Sequence, residues 1–397
     1  MASGSERSPE CGGAFVSEQW AYEGGFTLPC TGGLGECGAA FTSEQRARED
    51  GFTLPRAGDL GECGAAFTSE QRAREGGFTP PQRAGGPGGG GAAPPRLNMD
   101  PRVTAALREV GIPYRENEPL SKHTSLGVGG PAAVMAFPRS PEELRRTLAL
   151  RKELAAPHRI LGGGSNLVVV DEGLDELVLN TRELRHVAVG ADGVVDAEGG
   201  ANLIRTVVRC CRAGLAGMQS AVGIPGSVGG AAVMNAGAYG FSISDVLREI
   251  LVFDADGEAV LPPEGWRFHY RGSSIPEGSA VARISVALRP GDPAELGKQI
   301  RELQLERVRS QPGGRNAGCV FKNPPGAHAG RIIDELGLKG ARRGRAVVSE
   351  RHANFIVNEG GARAADVLEL AELLRERVAR ETGVELEWEV KVWRRSA

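Results

Sequence analysis

The sequence predicts an α+β protein on three observations. Short aliphatic runs alternate with leucine-spaced helical stretches from residue 99 onward. Helix-capping signals stand at the heads of those stretches. Glycine-rich loops separate the elements rather than filling them.

In chain order, Ser140-Pro141-Glu142-Glu143 reads as a capping box with proline in the first turn, opening a helix that carries Leu144, Leu148 and Leu154. Arg159-Ile160-Leu161 reads as a short strand running into Gly162-Gly163-Gly164-Ser165-Asn166, and residues 167–170 as a second strand. Residues 201–213 predict a helix stopped by Gly214. Asp292-Pro293-Ala294-Glu295 caps another, with Leu296, Ile300 and Leu303 on one face. A late helix carries Val367, Leu370, Leu374 and Val378 and ends at Gly383. The alternation of Val384, Leu386, Trp388, Val390 and Val392 with Glu385, Glu387, Glu389 and Lys391 predicts a strand with one apolar and one charged face. Either all four charges face water, or Glu389 faces a site with Lys391 beside it.

Residues 1–98 are of another kind. A 26-residue unit recurs at Glu10-Cys11, Glu36-Cys37 and Glu62-Cys63, and the stretch ends in the Gly- and Pro-rich residues 86–95. Its few aliphatic residues do not make a solenoid core, so we expect disorder without catalytic function, or a translated upstream repeat with Met99 as the true start.

Composition narrows the class further. A net charge of −3 gives no basic field for nucleic acid. No long apolar run predicts a membrane span, and no basic-then-apolar leader is present, so a cytoplasmic protein is expected. Neither the seven cysteines nor the six histidines show metal-ligand spacing, so no metal is expected.

The loop Gly162–Asn166 is read either as a tight hairpin or as a nest of backbone N–H groups for an anion. It is neither the dinucleotide fingerprint nor a P-loop. A second run, from Gly223-Ile224-Pro225-Gly226-Ser227-Val228-Gly229-Gly230 to Asn235-Ala236-Gly237, lets backbone approach a large flat ligand. The two loops together suit an extended ligand with a central diphosphate.

These loops, with residues 123–132, Tyr270-Arg271-Gly272-Ser273 and residues 316–324, make the chain resemble the UDP-N-acetylenolpyruvoylglucosamine reductase (UDP-N-acetylmuramate dehydrogenase) family from about residue 115 to residue 393. The resemblance implies the FAD-binding fold of the vanillyl-alcohol oxidase type. Its two α+β subdomains are expected at 99–180 and 181–290, and an α+β substrate-binding domain at 291–397. The length from Met99 resembles the shorter class of the family, which lacks an inserted substrate-clamping loop.

It further implies NADPH-dependent reduction of UDP-N-acetylglucosamine enolpyruvate through FAD, in peptidoglycan precursor synthesis. FAD contacts are expected at Gly162, Gly163, Gly164, Ser165 and Asn166, and at Gly223, Ile224, Pro225, Gly226, Val228, Gly229, Asn235 and Gly237. Arg271 and Glu389 would stabilise the enediolate, and Cys319 would protonate it. Substrate contacts are expected at Tyr270, Arg309, Lys322, Asn323 and Lys391. Two positions depart from the commoner family pattern, Cys319 where a serine is usual and Lys391 where the shorter class has arginine. The alternatives are an FAD-dependent oxidase of the same fold, or a non-catalytic FAD or UDP-sugar sensor; both leave Arg271, Cys319 and Glu389 without a use.

Overall fold

A computed structural model describes residues 97–254 and 258–395. The expectation for residues 1–98 thus lies almost wholly outside the described residues.

The first sheet orders its strands Tyr114–Pro119, Pro131–Ala136, Leu174–Asn180 and His158–Leu161, the first pair antiparallel and the others parallel. Parallel pairing needs a crossover, and the helix Pro141–Glu153 supplies it. Ser140 accepts from the Glu143 N–H as expected, but the Glu143 carboxylate accepts from the Arg139 N–H instead of closing the box. Leu144 and Leu148 pack with Leu107, Val134, Leu177 and Leu179 on one face of this sheet, and Met135, Leu161 and Val178 fill the other. Burial on both faces is why Pro131–Ala136 and the stretch Leu177–Leu179 of the inner strands read as apolar runs.

The second sheet is antiparallel throughout: Glu258–Leu261, Leu247–Phe253, Ala280–Ala287, Val194–Glu198 and Val187–Val189. The helix Leu203–Arg212, expected at 201–213, buries Cys210 and Cys211 in its core. The helix Pro293–Ser310, capped by Asp292, places Leu296 and Ile300 in that same core. We expected this helix to open the third domain at residue 291; its apolar face instead completes the second core.

The third core is built on a sheet ordered Arg315–Cys319, Phe355–Asn358, Ala346–Val348 and Arg342–Arg343. Val367, Leu370, Leu374 and Val378 of the helix Ala364–Thr382 close it, and Gly383 ends that helix in the left-handed region. Its N-terminal N–H groups are capped from the first subdomain, where Asp171 accepts from Ala364 at 2.8 Å and from Ala365 at 3.0 Å.

The long strand expected near the C-terminus forms only at Lys391–Trp393, parallel to Leu167–Val169. Residues 384–390 join no sheet: they form an isolated bridge between Phe321 and Trp388, with backbone bonds to Val320 and Lys322 on either side of it. The alternation is real, since Leu386 and Val390 are buried in the third core, but this stretch packs there without being added to a sheet. Among the described residues no helix is long and apolar enough to cross a membrane.

Candidate active site

The triple-glycine loop is not a hairpin. It leaves the strand His158–Leu161 of the first sheet and enters the strand Leu167–Val169, which pairs with Lys391–Trp393. Its glycines are explained by contact with the second loop. A Cβ on Gly163 would stand 2.6 Å from Gly226 Cα, and one on Gly162 would overlap the Ser227 hydroxyl. Ser165 Oγ donates to the Pro225 carbonyl at 2.9 Å. The two loops therefore meet backbone to backbone. Among the described residues, none of the N–H groups from Gly162 to Asn166 donates to a protein acceptor. Five adjacent donors without acceptors, on a partly exposed loop, fit the phosphate oxygens of a dinucleotide such as FAD.

The other expected cofactor residues divide. Gly223, Ile224, Pro225 and Gly226 form the turn facing the first loop. Val228 is in the core, and the Gly229 N–H donates to the Gly199 carbonyl at 2.8 Å. Asn235 is buried with both ends of its amide used: Nδ2 donates to the His269 carbonyl, and Oδ1 accepts from the Ser244 N–H. It holds the hairpin that carries Arg271.

That hairpin pairs Phe268–His269 with Gly272–Ser273, with Tyr270 and Arg271 at its tip. Arg271 has φ 59, a conformation uncommon for a side chain of its size. Its Nη1 donates to the Gly237 carbonyl at 2.8 Å, and Ser273 Oγ donates to the Val233 carbonyl, so the tip is pinned on both sides. Tyr270 is exposed, with the Arg271 guanidinium 5.2 Å from its ring centre.

Glu389 approaches from the C-terminal segment. Its N–H donates to the Val320 carbonyl at 2.9 Å, and its own carbonyl accepts from Asn166 Nδ2 at 3.1 Å. Those two bonds tie it at once to the cofactor loop and to the residue after Cys319. Glu389 Oε1 then lies 2.9 Å from Arg271 Nε, with the two side chains 14% and 25% exposed. Nε is left without an aligned hydrogen-bond acceptor, so the contact is a close approach of the guanidinium charge to the carboxyl. Burial pushes the Glu389 carboxyl up, against the Arg271 charge that pulls it down, and burial prevails.

Cys319 ends the strand Arg315–Cys319 at a β-bulge. Asn316 faces Val357 and Cys319 faces Phe355, so one extra residue intervenes, with Gly318 at φ 78. A bulge re-aims the side chain after it. Burial pushes the thiol up to about 12, helped by the Glu389 charge and opposed by those of Arg271 and Arg307.

The expected substrate residues are only partly drawn in. The Lys322 ammonium pairs with Glu387 at 3.2 Å and also acts on Glu389. Asn323 Oδ1 accepts from the Ala329 N–H at the head of the helix Ala329–Glu335. Lys391 is exposed, so the ammonium acting on Glu389 is that of Lys322. Arg309 is exposed on its helix, while Arg307 turns inward against Gly223 and acts on Cys319. Arg307 was missed by the motif reading. The glycine at 223 and the leucine spacing, which puts 300, 303 and 307 on one face, were the signals available.

The model of the family described as FAD binding domain matches residues 131–261. That of UDP-N-acetylenolpyruvoylglucosamine reductase, C-terminal domain, matches residues 310–393. UDP-N-acetylenolpyruvoylglucosamine reductase of Moorella thermoacetica is 45% identical over 300 residues, 74% of this chain and 99% of that protein. The enzyme numbered 2 of Symbiobacterium thermophilum is 46% identical over 300 residues, 74% of this chain and 96% of that protein. The crystal structure of UDP-N-acetylenolpyruvylglucosamine reductase (MurB) from Thermus caldophilus superposes with a TM-score of 0.62 at 41% identity, covering 71% of this chain and 99% of that one. The chain belongs to the UDP-N-acetylenolpyruvoylglucosamine reductase family and is an FAD-dependent oxidoreductase with the α+β fold its sequence predicts.

Proposed function

We propose that the protein reduces the enolpyruvyl group of UDP-N-acetylglucosamine enolpyruvate to the lactyl ether of UDP-N-acetylmuramate, with NADPH as reductant. The Gly162–Asn166 and Gly223–Gly226 loops would hold FAD, which when bound would supply the hydride, drawn from NADPH, for the methylene carbon of the substrate. The protein's own groups handle what that addition leaves behind. The electron pair displaced from the double bond moves onto the neighbouring carbon and into its carboxylate, as an enediolate.

Arg271 sets a fixed positive charge against this enediolate, and Glu389, whose carboxyl burial favours in its protonated form, donates a hydrogen bond to it. Cys319 Sγ–H gives its proton to the carbon, and solvent restores the thiol. A thiol raised to about 12 keeps its proton across the neutral range, and the substrate carbanion is a far stronger base than the thiolate. NADPH and substrate would occupy overlapping sites beside the bound cofactor in turn, which gives ping-pong kinetics.

The convergence of Arg271, Glu389 and Cys319 from three separate elements carries this reading. An oxidase or a sensor has no use for that constellation. The test is anaerobic. Purified protein should be yellow, be bleached by NADPH, and regain its colour on addition of the enolpyruvyl substrate. Bleached protein that recovers only with oxygen, leaving the substrate unchanged, would sink the proposal.

A further inference from the structure

Arg307 lies on the helix Pro293–Ser310 among exposed neighbours, yet its own side chain is turned in. A methyl group at Gly223 would overlap its Cδ and stand 2.9 Å from Nε and 3.1 Å from Nη1. The side chain therefore packs against Gly223, which leads into the segment that meets the first cofactor loop. Its charge acts on the Cys319 thiol, on Arg271 and on the Tyr239 hydroxyl. Among the described residues no carboxylate comes within ion-pair distance of it, whereas Arg271 already has Glu389. The centre thus gathers two guanidinium groups around one carboxyl. A half-buried cation without a counter-ion, next to a second cation, is an unfavourable arrangement unless an anion completes it.

We propose that Arg307 is a second cation for the substrate carboxylate, gripping beside Cys319 the group that Arg271 and Glu389 stabilise. This rests on the reductase reading of the site and adds a residue to it. The carboxylate is favoured over the diphosphate because the carbon that Cys319 protonates is bonded to that carboxylate, and the Arg307 charge reaches Cys319. Gly223 is then glycine to seat the guanidinium, in addition to any contact with the cofactor. Arg307 in this role is catalytic, since its charge meets the enediolate as it forms.

The test uses the FAD-loaded enzyme and two ligands that share nucleotide, diphosphate and sugar. UDP-N-acetylmuramate carries the carboxylate and UDP-N-acetylglucosamine lacks it. By calorimetry, Arg307→Met should weaken the first by about tenfold to a hundredfold and the second by no more than about twofold, as expected for one charge-assisted contact. Arg307→Lys, a milder change should the methionine variant fold poorly, should lose about tenfold on the first ligand alone. Equal losses on both ligands would put the guanidinium on the diphosphate and overturn the proposal. So would release of FAD from either variant, or no loss at all. A parent enzyme that does not prefer the carboxylate-bearing ligand counts against the reductase reading itself; a preference that survives in Arg307→Met counts against Arg307 alone.

Discussion

Arg271 Nε lies 2.9 Å from Glu389 Oε1, which joins the tip of the hairpin Phe268–Ser273 to the C-terminal segment. Neither group acts alone, because the Arg271 charge pulls the Glu389 carboxyl down against its burial. Arg271→Met and Glu389→Gln are therefore expected to slow flavin reoxidation by substrate by about 10²–10³, the usual loss for one group stabilising a developing oxyanion. Reduction by NADPH should change little, since the enediolate exists only in the second half-reaction. Stopped-flow measurement of each half-reaction checks this, and equal damage to both would instead indicate a disturbed flavin site.

Glu389 also sets a pH dependence. Its carboxyl is raised by burial, so the protonated donor form is present below the raised value and is lost as pH climbs through it. The reoxidation rate should fall along that limb. Glu389→Gln, which does not titrate, should show a flat profile there at a lower plateau. The same sign holds for stability: ionising the buried group costs the folded state, so its contribution fades as pH rises through the folded value. A parent profile without this limb would remove Glu389 as the donor.

Cys319 yields the clearest separation between sequence and structure. An ordinary thiol would lose its proton near pH ~8.5, giving an alkaline limb of its own. In the folded protein the thiol is pushed up to about 12, so that limb is displaced beyond the working range. Reoxidation by the parent and by Cys319→Ser should therefore follow parallel profiles between about pH 6 and about pH 10. Cys319→Ala should accept hydride normally and reoxidise at least about 10²-fold more slowly, the lower figure for loss of a positioned acid. An alanine variant reoxidising at the parental rate would leave water or another side chain as the acid.

The paired glycine loops make the cofactor site sensitive to a single methyl group. Gly163→Ala would set a Cβ 2.6 Å from Gly226 Cα, where only backbone can yield. Loosening of FAD by about tenfold or more is expected, a cost of roughly 1.4 kcal/mol, read by fluorescence of released flavin. Acid precipitation of the parent should send all the colour to the supernatant, because no His or Cys lies in the loop to anchor flavin covalently. Colour retained in the pellet would contradict a noncovalent site.

Asp171 offers a stability test away from the chemistry. Its two oxygens accept from Ala364 and Ala365 at the head of the long C-terminal helix. Asp171→Ala should cost about 1–2 kcal/mol of stability, the range for loss of a capping carboxylate, with a matching fall in Tm. Turnover per FAD-loaded molecule below the melting transition should be unchanged. A variant as stable as the parent would mean that the cap is replaced by water.

The sequence by itself determined the helices at 141–153, 293–310 and 364–382, because caps and leucine spacing act within a few residues of themselves. It also marked both glycine loops by their composition, and Arg271, Cys319 and Glu389 through the family resemblance alone. Tertiary structure decided which of them meet. Two arginines two positions apart on a helix point about 200° apart, and packing against Gly223 selected Arg307 over Arg309. Alternation at 384–392 left the direction of Glu389 open, and hydrogen bonds to Val320 and Asn166, far away in the chain, turned it inward. The bulge before Cys319 exists only in its register against Phe355 and Val357. Local signals are short-ranged, whereas this centre is closed by backbone pairing between distant segments, and only the assembled chain brings those segments together.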